Sequence, residues 1–376
     1  MGAAPRPERI LAVRDLLGLS LQELGASAGF SQSYFSEIAS GKRPFSLAHA
    51  EQIATATGFP TEFFLVEAPQ VEADSLQFRK LKTSKAATTR KASQYFRETS
   101  RITQDVSRAA GLRPKALPFV NDATTGTLEE SVIEQAAAAT RRLMGVSADA
   151  AIPNMTRAIE RLGIVVAPVL LDPLEDEVRV VSEGHFGISH GDQLGVPVVG
   201  YFPGKSPDRD RFTLAHEVGH VVLHSHRTAD DPEPEANRFA GALLLPEDTA
   251  RSELHAQITL NQLARIKARY GISIQALIMR AAGLSIIDQK RQRSLFVQLN
   301  VRGWRQNEPV EVGAEYPLLL RKLIEASLPP NATSKDVEKI TALPRAYVRA
   351  IAPPPPRQST DSLAPAVKFA RPNVAK

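Results

Sequence analysis

The chain contains no cysteine. Disulfides and thiolate metal sites are therefore excluded, and histidines and carboxylates are the side chains left to hold a metal ion. Long apolar runs are also missing. The stretch Ile164–Leu171 is already interrupted by Pro168, and a bilayer-spanning helix needs about 20 residues. The opening residues, MGAAPRPERIL, have no apolar signal core, and Arg6 stands where a myristoylation pattern needs Ser or Thr. A cytoplasmic protein with no membrane partner is the expectation. What is present is a 376-residue chain, 43% hydrophobic and 23% charged, an ordinary globular composition with length for two or three domains. Its net charge of +5 and pI near 9.4 suit a nucleic-acid partner without requiring one.

Residues 6–67 break into short helices. Arg9–Leu17 places Ile10, Leu11, Val13, Leu16 and Leu17 at helical spacing before Gly18. Ser20 is positioned to cap a second helix ending near Gly29, Ser31 a third ending at Gly41, and Ser46 a fourth. Pro60 can open a last turn, TEFFL. Two short helices joined by a tight turn, the second polar on its outer face, form helix-turn-helix geometry. The third helix would enter the major groove with Gln32, Ser33, Tyr34 and Ser36 at base edges. Gln22, Lys42 and Arg43 would contact phosphates, while Phe30, Phe35, Ile38 and Ile53 belong to the core. The stretch LSLQELGASAGFSQSYFSEIASGKRPFS resembles the Cro/repressor (XRE) helix-turn-helix family. That resemblance implies a λ-repressor-like bundle that binds double-stranded operator DNA as a homodimer.

Between Phe78 and Lys115 eleven basic residues face only Glu98 and Asp105. Interleaved Phe78, Leu81, Tyr95, Phe96, Ile102 and Val106 suggest an amphipathic helix. Its charges could grip DNA phosphates or simply solvate a linker helix. Thr127–Met144 reads as a further helix, with Thr127 and Glu130 spaced as a capping box.

The chemistry lies in Arg211–His224, RFTLAHEVGHVVLH. In its HExxH segment, His216 and His220 fall on one helical face and can present imidazoles to one ion, with Glu217 beside them as general base. The preceding stretches Ile164–Leu171, Val178–Val181, Gly184–Ser189 and Val196–Tyr201 read as short strands. A polar turn, Phe202–Asp210, leads from them into the helix. Strands feeding such a helix make an α+β zincin-like layout, in which a sheet edge holds an extended peptide over the metal.

A third ligand is needed. His226 would require a turn at Leu223, where no glycine stands. His224 would put three imidazoles along one helix side, and a rise of about 6 Å per four residues keeps all three from one ion at about 2.1 Å. It is expected instead to be a helix-end residue near the C-terminal dipole. Glu233 and Glu235 open the next helix, and either could complete the set. Asn237, one turn after Glu233, could accept the N–H of a liganding histidine. His185 and Tyr201 suit an oxyanion partner chemically, although a structural role is the plainer reading of each.

The two blocks RFTLAHEVGHVVLH and EPEANRFAGALLLP together resemble the ImmA/IrrE metallo-endopeptidase family. By position, the resemblance implies zinc (or another divalent ion such as Mn2+) on His216, His220 and Glu233, with Glu235 as the alternative ligand and Glu217 as catalytic base. It also implies a protein substrate, such as a repressor or the chain itself. Thr259 then opens two helices meeting at Gly271, which read as scaffold behind the peptidase and not as a second helix-turn-helix. From Ala352 a proline-rich tail is expected to be disordered.

The expected fold is mostly α with a small β-sheet. Residues 1–67 form the DNA-binding bundle, 68–150 a basic helical connector and 151–285 the metallopeptidase domain. Residues 286–350 form C-terminal helices and 351–376 a tail. The expected function is a DNA-binding transcriptional regulator carrying a zinc-dependent endopeptidase. Its alternatives are a regulator whose metal domain only senses a ligand and an antitoxin-type regulator.

Overall fold

The computed structural model describes residues 4–69, 77–80, 86–120, 126–170, 185–190, 195–203 and 206–355. The expected strand Val178–Val181 and most of the expected tail lie outside them.

Helices α1 (Glu8–Leu17), α2 (Leu21–Ser27), α3 (Gln32–Ala39) and α4 (Leu47–Thr57) form the N-terminal bundle, closed by a 3-10 turn at Thr61–Phe64. The serines act unequally as caps. Ser20 and Glu23 form a reciprocal capping box on α2, and Ser46 pairs likewise with His49 on α4, but the Ser31 hydroxyl makes no cap bond. Gly29, at φ +75°, makes the left-handed turn into α3. A Cβ built on Gly25 would lie 2.7 Å from the Phe35 ring, so α2 and α3 can cross this closely only over glycine.

Residues after the bundle depart from the expected connector. Gln77–Lys80 form a strand, β1, and the long helix α5 starts only at Ala86 and runs to Ala110. A solvated linker helix does not describe it. Gln94, Tyr95, Phe96, Glu98, Arg101, Ile102 and Val106 are buried, and only part of its surface, including Arg90 and Arg108, is exposed. Glu98 neutralises two arginines inside the protein. Arg9 of α1 reaches it through two bonds of 2.6 and 3.0 Å, and the Arg101 Nε donates at 2.9 Å. The helix is thus a pillar of the core.

Helix α6 (Glu130–Met144) begins at Glu130 with no side-chain cap, so the Thr127 capping box does not form. Helix α7 (Met155–Glu160) is capped by Asn154 and leads into β2 (Val165–Pro168). Strands β3 (His185–His190) and β4 (Val198–Tyr201) complete a four-stranded sheet ordered β1-β3-β4-β2. Strand β3 is antiparallel to both its neighbours, whereas β2 and β4 are parallel. Helix α8 starts at Pro207, inside the expected polar turn, and runs to His224. Asp208 in that first turn is buried, 2.9 Å from the Lys267 Nζ. Then come α9 (Pro232–Leu244), α10 (Glu247–Glu253), α11 (Leu260–Tyr270), α12 (Ile274–Gly283), α13 (Gln289–Val301), α14 (Leu319–Ala326), α15 (Ser334–Thr341) and α16 (Arg345–Ile351).

Successive strand residues face opposite sides of the sheet, and here both sides are covered. Val166, Val199 and Tyr201 join one apolar core with α6–α9 and α11–α13. Val165, Ile188 and Val198 join a second core with α5, α14, α16 and the whole N-terminal bundle. The helices α11 and α12 are buried in the first core through Leu263, Tyr270, Ile274 and Leu277, as a scaffold requires.

Candidate metal centre and nucleic-acid interface

His216 and His220 stand one turn apart on α8, and their Nε2 atoms are 3.0 Å from each other. Glu233, in the first turn of α9, brings Oε2 within 3.5 Å of the His216 Nε2 and Oε1 within 3.4 Å of the His220 Nε2. A tetrahedral ion with ligands at about 2.1 Å has ligand–ligand edges of about 3.4 Å. The three donors fit one such ion.

The outward nitrogens decide which lone pairs face inward. The His216 Nδ1 lies 3.1 Å from the Asn237 Oδ1, which only accepts, so that ring donates from Nδ1 and keeps Nε2 free for the ion. The His220 Nδ1 lies 3.0 Å from the His224 Nδ1, and the His224 Nε2 is 2.9 Å from a Glu235 oxygen. The carboxylate can only accept, so His224 donates from Nε2 and accepts at Nδ1 from His220. This chain again leaves the His220 Nε2 lone pair pointing inward. Burial pushes His224 down to about 4, against the raising pull of Glu235, which keeps the ring neutral as the relay needs.

Glu235 is otherwise engaged. Arg227 donates to both its oxygens at 2.7 and 3.0 Å, and the Leu128 N–H donates at 2.8 Å. Two residues apart on a helix, Glu233 and Glu235 face nearly opposite sides. One faces the imidazoles and the other a buried guanidinium.

Glu217 is fully buried on α8 and packs against β3. A Cβ on Gly187 would stand 2.2 Å from the Glu217 Oε1, so the glycine is what admits the carboxylate beneath the strand. A close crossing also sets the spacing of α8 and α9. A Cβ on Gly219 would meet Phe239 at 3.1 Å and the Ala236 backbone at 3.2 Å. Tyr201 turns toward the first core, where burial raises its phenol and Asp210 and Glu315 lie nearby. The side chain of His185 is outside the described residues. His226 is exposed, with its ring 4.5 Å from that of Phe119.

On the bundle, Gln22, Gln32, Ser33, Ser36, Lys42 and Arg43 are all exposed along α2, α3 and the turn after α3. Tyr34 is only half-exposed, with its hydroxyl 3.1 Å from the His49 Nε2. Arg43 is ion-paired with Glu37 and lies over the Tyr34 ring at 5.0 Å.

Residues 10–64 match the family model for helix-turn-helix domains, and residues 174–282 match that of the IrrE N-terminal-like domain of peptidase family M78. The chain joins a helix-turn-helix domain to an IrrE N-terminal-like domain. No curated protein matches it. Within the IrrE-like domain, sequence reading missed the His224–Glu235–Arg227 relay. Its one visible signal was the spacing of four between His220 and His224, which places a second imidazole beside the first.

Proposed function

We propose that the chain is a transcription regulator that binds operator DNA through Gln22, Gln32, Ser33, Tyr34, Ser36, Lys42 and Arg43, as a homodimer on a palindromic site. Its IrrE-like domain is a zinc-dependent endopeptidase, with His216, His220 and Glu233 as ligands and Glu217 as general base. The convergence of three donor atoms within 4.8 Å of one another, beside a buried glutamate, carries this reading. Held by His216, His220 and Glu233, a divalent ion would supply Lewis acidity toward a water and a peptide carbonyl. Asn237 and His224 orient the two imidazoles. Glu217 accepts the proton of the attacking water and returns it to the leaving amine. Its seat under β3 shields the carboxylate from bulk solvent.

A cleavage substrate is a protein such as a repressor or the chain itself. Zinc content of the wild type beside His220→Ala tests the site, and equal content in the two sinks it. Glu217→Gln should keep zinc and DNA binding and abolish cleavage of a co-expressed repressor. A second reading, ligand sensing without cleavage, draws on a cavity of about 1000 Å³ lined by Phe212, Asn237, Met279, Phe296 and Arg305, because Asn237 is shared with the metal centre. A wild type that cuts neither itself nor any repressor would favour it.

A further inference from the structure

Strand β1 lies where a substrate peptide is expected. Without it, β3 would be the sheet edge, and an edge strand offers a row of N–H and C=O groups to any extended chain. Peptides commonly add to such an edge as one more strand. This edge is the one beside the proposed base, because Gly187 of β3 sits over the Glu217 carboxylate. The residue paired with Gly187 is Arg79 of β1. Neighbouring strands lie about 4.8 Å apart, so the main chain nearest the base across this edge is the protein's own. The pairing is antiparallel, Gln77 with Ser189 and Phe78 with Ile188, and its one irregularity falls between Arg79 and Lys80, beside Gly187. The strand is short and comes from the stretch between the helix-turn-helix domain and α5, not from the body of the IrrE-like domain.

We infer that Gln77–Lys80 occupy the peptide-binding edge of the IrrE-like domain as a resident internal peptide, which a protein substrate must displace. The substrate is then an extended segment taken antiparallel to β3. The inference rests on the endopeptidase reading for its meaning, but it is tested by binding and not by cleavage. A tethered strand competes at an effective concentration in the millimolar range, so the native chain resists an added peptide.

The probe is a fluorescein-labelled synthetic peptide copying residues 73–84, ADSLQFRKLKTS, followed by anisotropy on full-length Glu217→Gln protein. Two forms lose the resident strand: Phe78→Pro with Arg79→Pro, and Gln77→Gly, Phe78→Ser, Arg79→Gly with Lys80→Ser. Each should bind the probe at least tenfold more tightly than the chain with the native strand, and amides 187–189 should exchange faster in both. Circular dichroism identifies a form that has not folded, and the other form then decides. Equal affinity in all folded forms, or no binding in any, overturns the inference. Zinc content of the same preparations reports separately on the metal. Zinc retained without competition refutes the resident strand alone, whereas competition without zinc supports it and refutes the peptidase reading alone.

Discussion

Replacing Glu98 with Gln should destabilise the protein more than any exposed charge change, because the carboxylate balances two buried guanidiniums. Glu98 is 1% exposed, Arg9 0% and Arg101 7%. The Arg9 Nε also donates to the Phe63 carbonyl at 2.9 Å, and the Arg101 Nη2 to the Thr341 carbonyl at 2.7 Å. The two arginines therefore cannot swing out to water without breaking the bundle's last turn and the end of α15. Removing one partner of a buried pair costs about 3–5 kcal/mol, a large share of a total of about 5–15 kcal/mol. Urea unfolding at neutral pH should show that loss. Acid should narrow the gap. Burial opposes the charge on Glu98, but Arg9 and Arg101 prevail and lower its pKa from the ordinary 4.5. A carboxylate lowered in the folded state stabilises fully above its unfolded pKa, and the contribution fades as pH falls through the folded one. The wild type should thus lose more stability below about pH 4 than Glu98→Gln does. A variant within about 1 kcal/mol of wild type at neutral pH, against that expected cost, refutes the reasoning, as does a gap that ignores pH.

The two glutamates of α9 should separate by assay. Glu235→Gln should cost about 3–5 kcal/mol in metal-free melts by stranding Arg227 and weaken zinc about 10–100-fold through His224. Glu233→Gln should instead lose zinc with little change in the metal-free melt, and the reverse pattern in titrations would exchange their roles. Gly219→Val should force α8 from α9 at a cost of about 1–3 kcal/mol, read as lower zinc affinity together with a lower Tm. On DNA, Gln32→Ala should cost about 1–3 kcal/mol and relax specificity at one position, whereas Lys42→Ala should weaken all sequences alike and cut the salt slope by about 1. Binding titrations across a salt series distinguish the two.

Local rules made much of the fold legible. Ser20 and Ser46 cap as their positions suggest, and the apolar spacing of α1, α8 and α9 marks their buried faces. The pairing of an HExxH helix with the following acidic helix was equally visible. What escaped depends on partners distant in sequence. Charge counting left α5 as a DNA-phosphate grip or a solvated linker because Glu98 and Arg101 gain their meaning only from Arg9, 89 residues before Glu98. The choice between Glu233 and Glu235 turns on a nearer partner: Arg227, eight residues before Glu235, takes that carboxylate and leaves Glu233 to the imidazoles. Strand β1 was read into a helix because QFRK has no strong preference, and its pairing comes from β3, more than a hundred residues later.

The division of the cores bears on how cleavage or ligand binding would reach DNA. The helix-turn-helix domain shares its core with α5, one face of the sheet and the C-terminal α14 and α16. Its anchors include the Arg9–Glu98 pair, the Tyr347 hydroxyl donating to the Leu16 carbonyl at 3.3 Å, and the Phe59 and Tyr347 rings 5.3 Å apart. A cut between the bundle and α5 would leave all of these in place, so severing the chain there does not by itself free the DNA-reading head. The sheet offers a more direct route. Ile188 of β3 and Phe96 of α5 both press on Gly200, where a Cβ would stand 2.7 and 2.9 Å from them. Interiors this closely packed shift between discrete arrangements and do not deform smoothly. The β3 edge is thus packed to α5 across Gly200, and α5 is tied through Glu98 to the first helix of the DNA-binding bundle.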